Sequence, residues 1–275
     1  MFKIGVEYHM RRILATALLL LVTIPAYAQW ITLKLAETPR RPDGTPNLTA
    51  AAPQSADGHV DLSGIWQLNG PAALRRTITP TERAGPVHLR WLLPDDQDIP
   101  FTPEGAALFK QRAEQLGKGS PSSRCLPHGV PDAMIFRPWK IVQNPRVTII
   151  LFEVFNHYRQ IFTDGRALPK DDPQPTWFGY SVARWDQDTF VVETTGFNDK
   201  SWMDDAGLPH SERLQVTERF RRPDFGHLEV RVAIQDDRFY TRGWEVNIPL
   251  RLLPDTELIE DICENERDAQ RMIGK

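Results

Sequence analysis

From Ile141 onward apolar and polar positions alternate with a period of two. A pleated strand sends successive side chains to opposite faces, so this period predicts strands. They fall at 140–143, 147–155, 158–163, 178–185, 189–195, 214–220, 227–235, 244–250 and 257–263. Between them sit "NP", "NH", "TDG", "WDQD", "RPDFG" and "LLPD", rich in the residues that turns favour. "GIWQL" (Gly64–Leu68) reads as a further, first strand. Short connections favour antiparallel neighbours, so the expected fold is mainly β. It is an antiparallel meander closed into a barrel, lipocalin-like in shape. A β-sandwich is the alternative reading of the same pattern. "WFGYSVARWDQDTFVVETTGFND" (177–199) is then a hairpin turning at 186–188.

One stretch before the barrel has a helical period. "TPEGAALFKQRAEQLGKG" predicts a helix near 103–116, capped by Thr102, with Pro103 in its first turn and Gly117 at its end. Ala106, Leu108, Phe109 and Ala113 give it a partial apolar stripe. Residues 29–60 are rich in Pro, Ala, Thr and Asp, and "RRPDGTPNLTA" and "QSADGHVDLSG" look like two passes over one phrase. Their low hydrophobicity predicts an extended or disordered segment, leaving 61–275 as a single barrel domain.

The first residues read as a signal peptide. Lys3, Arg11 and Arg12 precede the run "ILATALLLLVTI", and "AYA" supplies the small residues that flank a cleavage site after Ala28. A run of twelve residues is too short to span a bilayer, although a retained anchor is the competing reading. Cleavage leaves 247 of 275 residues, and losing Lys3, Arg11, Arg12 and Glu7 moves the net charge from −3 to −5. A mildly acidic chain has no basic excess to neutralise phosphates, which argues against nucleic acid as a partner. No later segment is apolar enough for membrane insertion. The expected location is periplasmic or secreted. In an oxidising compartment Cys125 and Cys263 are expected to form a disulfide, with two buried thiols as the alternative.

Candidate chemistry begins with carboxylates among apolar neighbours. Glu153 alternates with Val147, Ile149, Leu151 and Phe155, and Glu218 with Leu214, Val216 and Phe220. A buried carboxylate must be neutral or matched by a cation or donors, and Arg159, Arg184, Arg213 and Arg219 are candidate partners. Two readings stand side by side: an Arg–Glu pair that braces the barrel, and an acid–base group at the floor of a pocket. The loop "TGFNDKSWMDDAGLPHSERL" (195–214) crowds Asn198, Asp199, Trp202, Asp204, Asp205, His210 and Glu212. Long ordered loops are disproportionately functional, and His210 can exchange protons near neutral pH. The disulfide would bring His128 towards the same end. Trp177, Tyr180, Asn198 and Trp202 are the candidate ligand contacts, the aromatics offering flat walls. No G-x-S-x-G, H-E-x-x-H, C-x-x-C-H, Walker or dinucleotide motif occurs, so no metal or other cofactor is expected.

Three stretches, "RQIFTDGRALP", "PTWFGYSVARWDQDTFVVETTGFND" and "PHSERLQVTERFRR", resemble a family pattern. It is similar to D-G-R-P-x-P…W-x-G-x-S-x-G-x-W-x-G-D-T-L-V-V-E-T-x-G-F-N-[DE]…P-H-S-x-x-L-x-V-x-E-R. The pattern is that of a large family of exported proteins of unknown function from soil proteobacteria and acidobacteria, and it covers nearly the whole mature chain. Ala183 and Gln187 stand where glycine is common, which alters the hairpin. The resemblance implies export and a β-barrel-like body and assigns no catalytic role. From the residues themselves, the expected protein acts on a small apolar or aromatic molecule as a lyase, isomerase or hydrolase. Glu153, Arg159, His210 and Glu218 would carry the acid–base chemistry. A non-catalytic carrier or an envelope interaction protein is the alternative.

Overall fold

A computed structural model describes residues 33–70, 88–115, 118–170 and 174–263. The chain divides into two units, Met1–Leu33 and Lys34–Lys275, and the second holds the barrel. The segment 1–28, expected to be a signal peptide, and the expected helix stop at Gly117 lie outside the described residues.

Among the described residues nine strands follow one another around a closed barrel. They are β1 (Gly64–Leu68), β2 (Trp139–Gln143), β3 (Val147–Phe152), β4 (Tyr158–Phe162), β5 (Tyr180–Asp186), β6 (Thr189–Thr195), β7 (Gln215–Arg221), β8 (His227–Gln235) and β9 (Trp244–Leu252). Closure comes from β1, which pairs with β2 on one side and β9 on the other. This leaves no edge for the strand expected at 257–263. That segment is coil, with a single bridge from Asp261 to Val154. A second departure is the β4–β5 seam, which is parallel and only two pairs long, Ile161↔Ser181 and Phe162↔Val182. Parallel neighbours need a long return path, and the chain from 163 to 179 supplies it.

The interior is packed with side chains. β8 alone sends in Leu228, Val230, Val232 and Ile234, all fully buried. Trp66 and Trp139 are also fully buried, and each indole N–H finds a carbonyl, Leu62 and Met134 respectively, at 3.0 Å. A buried indole needs such a partner to avoid a desolvation penalty. On β3 the expected faces are reversed: Thr148, Ile150 and Phe152 point inward, while Leu151 is exposed. "VTIILF" is apolar on both faces, so alternation alone could not choose between them.

Helix α1 (Pro103–Glu114) begins as expected, with Thr102 Oγ1 accepting from the Gly105 amide at 3.1 Å. Its apolar stripe is narrower than predicted. Leu108 and Phe109 pack on the core, whereas Ala106 and Ala113 are exposed. A second, short helix α2 (Asp132–Phe136) precedes β2. Cys125 and Cys263 form the expected disulfide, with Cα atoms 5.6 Å apart.

The stretch expected to be extended or disordered is ordered from residue 34 to 60, and its repeated phrase folds the same way twice. Arg40 bridges Pro46 and Gln54 bridges Val60. Asp43 accepts the Thr45 amide at 2.9 Å, and Asp57 accepts the His59 amide at 3.1 Å. Gly44 and Gly58 follow with φ of 82° and 84°, a region glycine enters without steric cost. Composition misled here because short Asp side chains close these turns locally. Leu62 then anchors the segment in the core.

The hairpin departure noted in the sequence has a measurable cost. Gln187 turns the β5–β6 hairpin at φ 56°, where a side chain crowds the backbone. Gln187→Gly is expected to raise unfolding free energy by about 1 kcal/mol, read from urea unfolding midpoints. An unchanged or lowered midpoint would show that the turn holds no such strain.

Candidate functional site

Four consecutive strands meet at one buried cation. Arg159 of β4 donates Nη1 and Nη2 to the two carboxylate oxygens of Glu218 on β7, at 2.9 and 2.5 Å. Its Nη2 also reaches Thr194 of β6 at 2.8 Å, and its Nε reaches Ser181 of β5 at 3.1 Å. Ser181 and Thr194 hydrogen-bond to each other at 3.0 Å. All four side chains are buried. The guanidinium fork matches the carboxylate, and the hydroxyls take further donors, so desolvation is compensated in full geometry. This arrangement spans the two-pair parallel seam, the weakest hydrogen-bonded junction of the wall. Of the other candidate cations, Arg184 pairs with Glu193, Arg213 pairs with Asp237, and Arg219 is exposed.

Glu153 does not share this site. It lies past the end of β3, and its Oε2 accepts the Ile259 amide at 3.5 Å, tying down the C-terminal segment. Burial raises its pKa. The two carboxylates therefore do not form one pocket floor.

Because side chains alternate across a strand, the outer face of the same wall presents different residues. There Tyr158 and Phe162 of β4 and Tyr180 of β5 join Trp177, Phe178 and His157 around a largely apolar cleft of ≈ 520 Å³. Phe178 stacks on Phe152 at 5.3 Å, which holds that wall in place. At the rim Arg166 lies 3.9 Å above the Phe162 ring and donates to the Tyr180 hydroxyl at 3.0 Å. His157 is half-buried, and burial holds its pKa below the ordinary imidazole value, with the nearby His128 acting in the same direction. An imidazole whose neutral form is favoured by burial sits in an aromatic cleft. Trp177 and Tyr180 line this cleft, whose lining also includes Arg159 and Ser181 but not Glu218.

A second polar centre lies behind this cleft. The segment "CLPHGVPDAM" (125–134) meets the 196–214 loop, which is ordered and largely buried. His128 Nδ1 and Asp132 Oδ2 share a hydrogen bond of 2.6 Å, and Asp205 Oδ1 lies 3.7 Å from the same nitrogen. Rings connect this centre to the cleft: His128 to Phe155 at 5.5 Å, Phe155 to His157 at 6.2 Å, His157 to Phe178 at 6.0 Å. Asp204 accepts the Leu89 and Leu208 amides at 2.9 and 3.0 Å. Burial and the neighbouring aspartates push Asp204 and Asp205 up to about 7, and burial raises Asp132 as well.

His210 lies in the same loop. Its Nε2 is 2.7 Å from Ser201 Oγ, and its Nδ1 is 3.2 Å from the Ser211 carbonyl. If Nδ1–H donates to that carbonyl, Nε2 is the acceptor for the serine hydroxyl, the orientation a serine nucleophile requires. Burial holds the imidazole pKa down. Ser201 and His210 are both sealed from solvent, and a Cβ on Gly129 would come within 2.6 Å of Ser201 Oγ. The pair lies within the 196–214 loop, packed against Gly129 of the other segment, and does not open to a substrate. Asn198 accepts the Lys200 amide at 3.1 Å and closes a turn. Trp202 is buried under Arg112, whose guanidinium lies 4.7 Å from the ring, so neither residue joins Trp177 in the cleft.

His157, Asp132 and Ser201 are not among the site residues expected from the sequence. The spacing H-x-x-x-D in "HGVPD" was a visible signal, since it lets both side chains meet across one turn. Compared with protein-family models, curated proteins and solved structures, the chain matches none. Among the described residues no helix is long and apolar enough to cross a membrane.

Proposed function

We propose that this is an exported enzyme, of the family its motifs resemble, that binds a flat apolar or aromatic molecule in the outer cleft and moves a proton on it. The observation that carries this reading is the placement of His157, a half-buried imidazole, among Trp177, Phe178 and Tyr180, where burial lowers its pKa. Aromatic walls supply most of the contact area for a planar ligand, and a neutral imidazole can take a proton from it. Export is supported by the disulfide and by the n-region, apolar run and "AYA" at the N-terminus. Arg159 and Glu218 are then bracing, because their donors and acceptors are spent on each other and on the two hydroxyls. A carrier would use the same cleft without turnover.

The test begins with the compound that purified wild-type protein retains, identified by native and then small-molecule mass spectrometry. Trp177→Ala is expected to weaken its binding at least tenfold by tryptophan quenching, since a wall of the cleft is lost. His157→Gln is expected to keep binding and lose roughly 10²–10⁴-fold in turnover. Recovery of the compound unchanged after incubation with wild type would favour the carrier. Unaltered binding by Trp177→Ala would remove the cleft from either reading.

A further inference from the structure

We propose that His128, Asp132 and Asp205 bind a divalent first-row transition-metal ion, such as Zn²⁺ or Mn²⁺, that ties the α2 segment to the 196–214 loop. Each residue offers one ligand atom, and the three atoms lie within 4.8 Å of one another. Two ligands of a tetrahedral ion with bonds of 2.0–2.1 Å are roughly 3.3 Å apart. The separations around His128 Nδ1, 2.6 and 3.7 Å, lie about 0.7 Å below and about 0.4 Å above that value, so an ion would need both carboxylates to shift, by roughly those amounts relative to the imidazole.

The surroundings ask for positive charge. Asp132 is 3 % exposed, and its Oδ1 has no hydrogen-bond partner among the described residues. A buried carboxylate oxygen left in that state is costly. Asp204 and Asp205 stand close by, and among the described residues no lysine or arginine forms an ion pair with any of the three aspartates. Asp204 spends its two oxygens on backbone amides, with His88 Nδ1 3.7 Å from Oδ2. A divalent ion held by both oxygens of Asp132 would supply the missing partner of Oδ1 as well as positive charge. One imidazole and two carboxylates suit Zn²⁺ or Mn²⁺ better than Ca²⁺, which takes six to eight oxygens. The His128 ring is already oriented, stacked on Phe136 at 4.7 Å with Phe155 on another side.

The experiment uses untagged full-length protein, stripped with a chelator and dialysed against Zn²⁺, Mn²⁺, Ca²⁺ or Mg²⁺ in turn. Mass-spectrometric metal analysis is expected to find about one Zn²⁺ or Mn²⁺ per chain. Melting temperature is expected to rise by roughly 5–10 °C at a hundredfold excess over Kd. Asp205→Asn, at the most exposed of the three positions, should fold, lose the retained metal and lose the melting shift. Asp132→Asn should do the same. His227→Ala, which removes an exposed His–Asp pair of similar chemistry, should leave both readouts intact. No retained metal in wild type, or undiminished retention by a folded Asp205→Asn protein, overturns the proposal and leaves a hydrogen-bonded His–Asp pair. Both readouts are independent of the cleft ligand, so failure here leaves the enzyme reading standing.

Discussion

Glu218→Ala is expected to destabilise the protein by about 3–5 kcal/mol, the usual cost of leaving one member of a buried ion pair alone. The loss comes less from attraction forgone than from Arg159, which stays buried with no counter-charge. Arg159→Met should cost a similar amount by stranding Glu218. The double replacement Arg159→Met with Glu218→Leu is the informative case. It removes both charges and keeps apolar volume, and such exchanges are often neutral or stabilising by about 1–4 kcal/mol. Urea unfolding of the four proteins gives the coupling directly. If the double variant is as unstable as the sum of the singles, the two residues do not act as a pair. The same folded double variant should retain turnover of the cleft ligand, and loss of turnover there would return Arg159 and Glu218 to the catalytic role.

Opening the Cys125–Cys263 disulfide is expected to cost up to about 5 kcal/mol. The bond closes a loop of 138 residues, and the chain-entropy account grows with the logarithm of that length. For a chain of this size the loss corresponds to a drop in melting temperature of roughly 10–20 °C. The effect is local as well as global. Cys125 stands three residues before His128, and Cys263 ends the segment that Glu153 holds through Ile259. Melting curves with and without reductant, and of Cys125→Ser with Cys263→Ser, make the measurement. Identical curves would mean that native contacts alone hold these two segments.

The sequence by itself determined whatever depends on near neighbours. The inward faces of β4 and β7 follow from alternation, so Arg159 and Glu218 were legible as buried residues on those faces. The start of α1 follows from Thr102 and Pro103, and the hairpin at 187 from its turn residues. The disulfide follows from there being two cysteines in a chain whose N-terminal pattern leads one to expect export. Each is a property of a few adjacent residues or of a count.

Other features were decided only by tertiary structure, because they depend on which distant segments meet. Which face of "VTIILF" turns inward is undetermined when both are apolar, and its neighbours settled it against Glu153. The absence of a strand at 257–263 follows from β1 meeting β9, a contact nearly the length of the barrel sequence apart. The return of the chain to pair β5 in parallel with β4 brings Trp177 and Tyr180 beside Tyr158 and Phe162 in one cleft, of which Glu218 is not part. Asp132 and Asp205 are 73 positions apart, and Gly129 is 72 from Ser201. No local period records such meetings; only barrel closure, with the disulfide holding one loop, brings those side chains within reach.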